Sequence, residues 1–392
     1  LRPCHVGDIE QVDFSTLALL CAVGLIGPLL ALPARLRVPV VVGELAAGVA
    51  IGTSGLGWFD PGHQTVTFLA DIGFALIMFV AGTHVPIRDP ALRTGIRTGV
   101  TRAVLVGLSA TVLAWPISIL GGSGHLALYA VLMASSSAAI IMPIISGEKL
   151  TGTSIITLLP QITIADAVCT VALPVVLDPS HAARSAIGSV IVIACAVVVY
   201  AISRYVVTDS GNQWLHETSR TRKFALELRI DLVILFSLAA LAATVHASIM
   251  LAGFSFGLAV AAAGEPRRVG KQLFALTDGF FGPLYFIWLG ATLNLRDLAE
   301  SPRMIALGVA LGAGAVAAHA VMILAGQPLP VGVLAAAQLG VPVSAATLGT
   351  QLDLMGPAEA PAILLGALVT LAMASVIRPR RSKQDVGAAT QS

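Results

Sequence analysis

Charge is scarce in this sequence: 11% of its 392 residues are Asp, Glu, Lys or Arg, against 56% hydrophobic. A soluble fold of this length needs a charged surface that so few residues cannot cover, which excludes a water-soluble domain. The formal net charge is only +2 and no basic cluster is interleaved with aromatics, so nucleic acid is not an expected partner. Cysteine is also sparse. Cys4, Cys21, Cys169 and Cys195 show no metal-ligand spacing, and the last three sit in apolar runs, where they read as small hydrophobes. No His/Glu metal motif lies within an apolar run and no nucleophile has a base beside it, so neither an enzyme nor a bound cofactor is expected.

What the chain has in abundance is long apolar runs. Segments able to cross about 30 Å of hydrocarbon recur at roughly 15–33, 38–56, 66–83, 99–121, 127–147, 154–177, 184–206, 229–247, 248–263, 279–295, 304–325, 331–352 and 360–377. They are continuously apolar rather than alternating, which favours helices over a barrel. The expected fold is an all-α polytopic membrane protein with about thirteen transmembrane helices. With the N-terminus outside, nineteen of the 23 Lys/Arg fall on the cytoplasmic side, and only Arg2, Arg184, Arg296 and Arg303 fall outside. That bias predicts an extracytoplasmic N-terminal segment at 1–14, one membrane unit at 15–378 and a cytoplasmic tail at 379–392. The acidic stretch before Phe14 (Asp8, Glu10, Asp13) is the wrong charge for a cleaved leader, so the first run is expected to be retained. Tyr205–Arg229 is the longest hydrophilic stretch, and a short basic tail follows Ile377, so no cytosolic nucleotide-binding domain is expected.

Two runs are poor as uninterrupted helices. Ser135-Ser136-Ser137, followed by Pro143, interrupts the fifth span, and Gly340-Val341-Pro342-Val343-Ser344 interrupts the twelfth. Backbone groups freed inside lipid must find partners or line a wet cavity. A matched pair of interruptions, one in each half, points to a transport site built from inverted repeats. Proline kinks and small residues for close helix packing are the competing explanation.

Asp166 lies about a dozen residues into the sixth span. A carboxylate there costs about 3 kcal/mol or more, so such groups are rare and mark function. It can hold a proton or a cation but not both together, which is the least an antiporter requires; the alternative is a structural aspartate bonded to a nearby hydroxyl. Thr163, one turn earlier, is either a ligand or a residue bonded to its own helix. Ser135, Ser136 and Ser137 offer the hard oxygens that Na⁺ or K⁺ prefers. His319, in the eleventh span, is either a core histidine or a titratable neighbour of the site. Glu44 reads first as a packing residue and otherwise as a modulator, and Gln161 is grouped with the possible modulators.

These residues resemble the monovalent cation:proton antiporter superfamily, and within it the Kef-type branch. The likeness runs in family order over about residues 15–378, through Arg37–Gly48, Gly52–Gly57, Leu69–Gly73, Phe79–Gly82, the serine run ending at Pro143, Asp166, and Phe280–Phe286 with Leu289 and Gly290. The resemblance implies a dimerisation domain and a mobile core containing two crossed, discontinuous helices, elevator-type movement and a homodimer in a bacterial plasma membrane. It implies that Asp166 binds the ion and that Ser136 and Ser137 match the family's Ser-Thr pair. Two departures stand out. Ala165 replaces a frequent second acidic residue, and His319 is the nearest match to a frequent Lys or Arg. Losing both together leaves neither as an unpaired buried charge and suggests electroneutral exchange. Na⁺/H⁺ exchange is the leading expectation and K⁺/H⁺ exchange follows; a channel-like K⁺ efflux pathway and a proton-coupled organic solute carrier are the rival classes.

Overall fold

A computed structural model describes residues 14–32, 39–85, 87–88, 90–122, 124–147, 150, 152–208, 226–245, 247–263, 273–356 and 358–377. The segment before Phe14, the tail after Ile377, most of Tyr205–Arg229 and His246 lie outside the described residues, as does the side chain of Pro143. Among the described residues nine helices are long and apolar enough to span a bilayer, and Val40–Ile51, Leu126–Met142 and Ile249–Ala263 are shorter apolar segments. Leu226–Thr244, with three charged residues near its start, completes the thirteen expected spans. Side chains that would be a liability in water point outward, among them Val112 (72% exposed) and Trp115 (64%). In lipid such a surface needs no polar cover.

The chain forms two compact units. The first comprises the described residues up to Phe74 together with Leu276–Asn294. It contains α1 (Phe14–Ala31), α2 (Val40–Ile51), the first half of α3 (Gln64–Thr83), and a π-helical turn at Thr277–Phe281. That turn leads into the apolar helix Gly282–Thr292, which becomes α11 in chain order once the second unit's helices are counted. Glycine lets α2 and this helix touch backbone to backbone. A Cβ at Gly48 would lie 2.1 Å from the Ile287 carbonyl oxygen, and one at Gly290 would lie 2.2 Å from that of Leu45. Small residues at such crossings are what hold helices together where lipid removes the hydrophobic drive.

The second unit holds the remainder. Its helices are α4 (Pro90–Gly121), α5 (Leu126–Ala134), α6 (Ala138–Gly147), α7 (Thr153–Leu177), α8 (Ala182–Thr208), α9 (Leu226–Thr244), α10 (Ile249–Ala263), α12 (Leu295–Glu300), α13 (Pro302–Ala320), α14 (Leu329–Ala335), α15 (Gly340–Gln351) and α16 (Glu359–Val376). The most extensive pairings are α4 with α7 and α13 with α16. A buried cluster of Ile141, Leu158, Ile162, Leu334, Ala335 and Leu371 joins α6, α7, α14 and α16.

Both expected interruptions exist. Ser135–Ser137 are non-helical between α5 and α6. In the other segment the unwound residues are Ala336–Leu339, just ahead of the expected Gly340–Ser344, which instead form the first turns of α15. The reason is local: Pro342 lacks an N–H that the first turn of a helix would leave unbonded anyway, so proline starts this helix rather than breaking it. The two unwound stretches cross and bond to each other, the Ser137 N–H donating to the Ala337 carbonyl at 2.9 Å. This is the arrangement of two crossed discontinuous helices that the sequence led us to expect.

Candidate ion-binding site

The crossing converts two interruptions into one polar centre within the second unit. Beyond the backbone bond, the Ser136 hydroxyl donates to the Ala335 carbonyl at 2.7 Å. The Ser135 hydroxyl lies against the Leu132 carbonyl (2.9 Å) and in a short contact with Gln338 Oε1. Each α-helix leaves its last carbonyls and first N–H groups unsatisfied, and here each interrupted segment meets part of the other's need.

Asp166 faces this crossing from α7. Its side chain is buried (5% exposed), and Oδ2 accepts a hydrogen bond from the Ala138 N–H, the first residue of α6, at 3.0 Å. The amide end of a helix favours a negative group, so α6 is oriented to receive a carboxylate. Among the described residues no basic side chain pairs with Asp166. Its charge is therefore answered by one backbone N–H and a helix dipole, an arrangement that leaves room for a proton or a metal ion as the balancing charge.

The other expected residues lie in different places. Ser135, Ser136, Ser137 and His319 assemble at the crossing. His319 is 1% exposed; its Nδ1 lies 2.9 Å from the Ala315 carbonyl and its Nε2 3.3 Å from the Ser136 hydroxyl. A carbonyl only accepts, so Nδ1 carries a hydrogen. The lone Ser136 hydrogen is then shared between Ala335 and a bare Nε2, unless the ring donates through both nitrogens. Thr163 shares α7 with Asp166, and its hydroxyl oxygen is buried without a partner, so the back-bonding open to a threonine is not used. Gln161 turns elsewhere, its Oε1 accepting from Gln327 Nε2 at 3.0 Å. Glu44 is buried in the first unit, packed against Gly27.

Several polar residues escaped the sequence reading. Gln338 supplies an acceptor at the crossing. Arg102, assigned to the cytoplasmic loops, sits inside α4 and is 7% exposed, donating to Thr157 Oγ1 (2.9 Å) and the Ala325 carbonyl (3.3 Å). The available signal was its position within the run that continues to Gly121. Glu359, 3% exposed, accepts from the Tyr129 hydroxyl at 2.6 Å and lies 2.8 Å from His125 Nδ1. His125 and Tyr129, four residues apart at the head of an apolar run, were the sign of a shared helix face.

Residues 20–379 match the family described as sodium/hydrogen exchanger, transmembrane. The chain belongs to this family. It is 21% identical to the putative Na⁺/H⁺ antiporter YjbQ of Bacillus subtilis over 95% of its own length and 63% of that protein's. It is 26% identical to the probable Na⁺/H⁺ antiporter 3 of Methanocaldococcus jannaschii, over 67% of each. The chain thus spans somewhat under two thirds of the first relative. Its fold is similar to that of the sodium proton antiporter MjNhaP1 from Methanocaldococcus jannaschii at pH 8, with a TM-score of 0.67, 16% identity and coverage of 92% of this chain and 95% of that one.

These findings correct the expected placement in the Kef-type branch: the chain matches the sodium/hydrogen exchanger family, and its fold is similar to that of MjNhaP1. The residues behind that placement do work that the scaffold itself demands. Gly48 and Gly290 allow helices to touch, and the serine run makes the crossing. Such residues report the superfamily and carry little information about the branch. The chain is an all-α, multi-pass membrane protein with the crossed-helix fold.

Proposed function

We propose that this chain is a secondary antiporter that exchanges a monovalent cation for H⁺ at Asp166. The observation that carries the reading is a buried carboxylate with no basic partner among the described residues, held by the Ala138 N–H at the crossing of two unwound segments. Protonated, Asp166 needs no counter-charge; deprotonated, it needs a cation. Each occupied state is neutral, so either can cross a low-dielectric barrier while the empty, charged state cannot. That exclusion makes exchange obligatory. Thr163, with its unpartnered hydroxyl, together with Ser136 and Ser137, completes the oxygen ligands; Ser135 and Gln338 hold the crossing. His319 serves Ser136 as a second hydrogen-bond partner.

Na⁺ is the leading substrate, supported by relatives named as Na⁺/H⁺ antiporters, and K⁺ follows. One carboxylate without an acidic neighbour at Ala165 supports electroneutral, one-for-one exchange. We extend the proposal to elevator movement of the second unit's crossing, to a homodimer in a plasma membrane, and to an N-out, C-in orientation from the Lys/Arg distribution. The test is reconstitution in liposomes with an internal pH dye. Adding Na⁺ or K⁺ outside, with choline as control, should drive proton movement that a K⁺/valinomycin clamp leaves unchanged. Ion flux without proton movement would instead identify a channel.

A further inference from the structure

Within the second unit, helix ends and loops around the start of α5 border an open cavity of about 550 Å³. Its lining includes His125, Glu359, Asp297, Ser301, Gly122 and Gly356. The Lys/Arg distribution assigns the loops that carry these residues to the outside. Here α5 is fastened to α16 by two contacts to the same carboxylate oxygen, His125 Nδ1 to Glu359 Oε1 at 2.8 Å and the Tyr129 hydroxyl to Glu359 Oε1 at 2.6 Å. The His125 side chain is 30% exposed, so protons in the cavity reach it, whereas the Glu359 side chain is 4% exposed. Asp297 lies on the cavity wall; near it in the chain are the exposed Arg296 and Glu300 of α12 and Arg303 of α13. Arg303 is occupied at the end of α4 by the carbonyls of Leu120 (2.5 Å) and Ile119 (3.2 Å), which leaves Glu359 as the group in contact with His125.

We infer that His125 and Glu359 form a pH-sensitive anchor that sets the position of α5, and through it the ion site, according to the proton concentration outside. The inference rests on the antiport reading and adds to it a regulated positioning pair. α5 has nine residues and is about 13 Å long. It behaves as a rigid rod, with the anchor at one end. At the other end the chain passes directly into Ser135–Ser137 and the Ala138 N–H that holds Asp166. A change in the grip at His125 is therefore delivered to the ligands. The hydrogen bond to Glu359 raises the His125 pKa from its ordinary value, against burial, which lowers it. The sign follows: the ionic grip is complete below the ordinary imidazole pKa and fades as pH climbs through the raised value. A neutral ring still donates from Nδ1, so alkaline conditions loosen the anchor without releasing it.

The test measures ²²Na⁺ uptake into proteoliposomes with internal pH fixed and external pH stepped from acid to alkaline. Wild type should show a step in apparent Na⁺ affinity of about fivefold, the difference between a charge-assisted and a neutral hydrogen bond. His125→Gln and Glu359→Gln should transport without that step, while Tyr129→Phe, which removes only the neutral contact, should keep it. Ring-nitrogen NMR of selectively labelled His125 supplies a readout independent of transport: its titration should move to lower pH in Glu359→Gln. A His125→Gln profile that coincides with wild type, or a His125 titration unmoved by Glu359→Gln, overturns the anchor. Absence of Na⁺-driven exchange in wild type defeats the antiport reading instead, and the NMR titration then decides whether the ion pair forms.

Discussion

Asp166 and Glu359 lie in the same unit and are nearly equally dry, at 5% and 3% exposed, yet their surroundings have opposite character. Glu359 has a hydroxyl and an imidazole on one oxygen. Asp166 has a single backbone N–H at the head of α6. The first carboxylate is satisfied by groups that come from the chain; the second meets only that backbone N–H among the described residues. Burial by itself therefore does not single out the residue proposed to carry transport. What distinguishes it is burial with its charge unanswered, at a place where backbone has been unwound.

The contrast can be broken or sharpened by substitution. The largest effect is expected at Asp166→Asn, which retains an acceptor for the Ala138 N–H but cannot ionise. Cation-driven proton movement should fall by more than about 100-fold while thermal unfolding in detergent stays near wild type. An active Asp166→Asn would end the comparison. Next is Glu359→Ala, which strands Tyr129 and His125 and should lower stability by about 2–3 kcal/mol while exchange persists at a reduced rate. Thermal unfolding and proteoliposome flux read the two parts separately. Ser136→Ala removes a hydroxyl touching Ala335 and His319 and should raise the KM for the cation about tenfold, with a smaller loss in maximal rate. Tyr129→Phe deletes one of the two contacts to Glu359 and should cost about 1 kcal/mol of stability, measured by the same unfolding assay, with no change in cation selectivity.

Much of this was legible in the chain, for identifiable reasons. Hydrocarbon imposes a length and an apolar composition on every crossing segment, so the spans could be read directly. Asp166 stood out because a carboxylate in the middle of an apolar run has no inexpensive explanation. Serines at 135–137 marked their interruption well. Residues 336–339 did not, because Ala-Ala-Gln-Leu has ordinary helix formers and the neighbouring proline attracted the expectation four residues too far along. Glu359, His125 and Arg102 sit near span ends, where a polar side chain is commonly solvated; nothing in the linear order shows that α4, α5, α7 and α16 enclose them. The branch of the superfamily was misread because its evidence lay in residues that any member of this fold needs.

Sequence alone determined the membrane class, the apolar spans, the serine interruption at 135–137 and the acidic residue in the sixth span, because a bilayer penalises each polar group by its depth, whatever its neighbours. Tertiary structure decided which hydroxyl meets which carbonyl, that Ala138 holds Asp166, and that Glu359 is already paired. Those outcomes depend on hydrogen-bond distances between residues up to about 230 positions apart, and only the packed helices bring such groups within 3 Å.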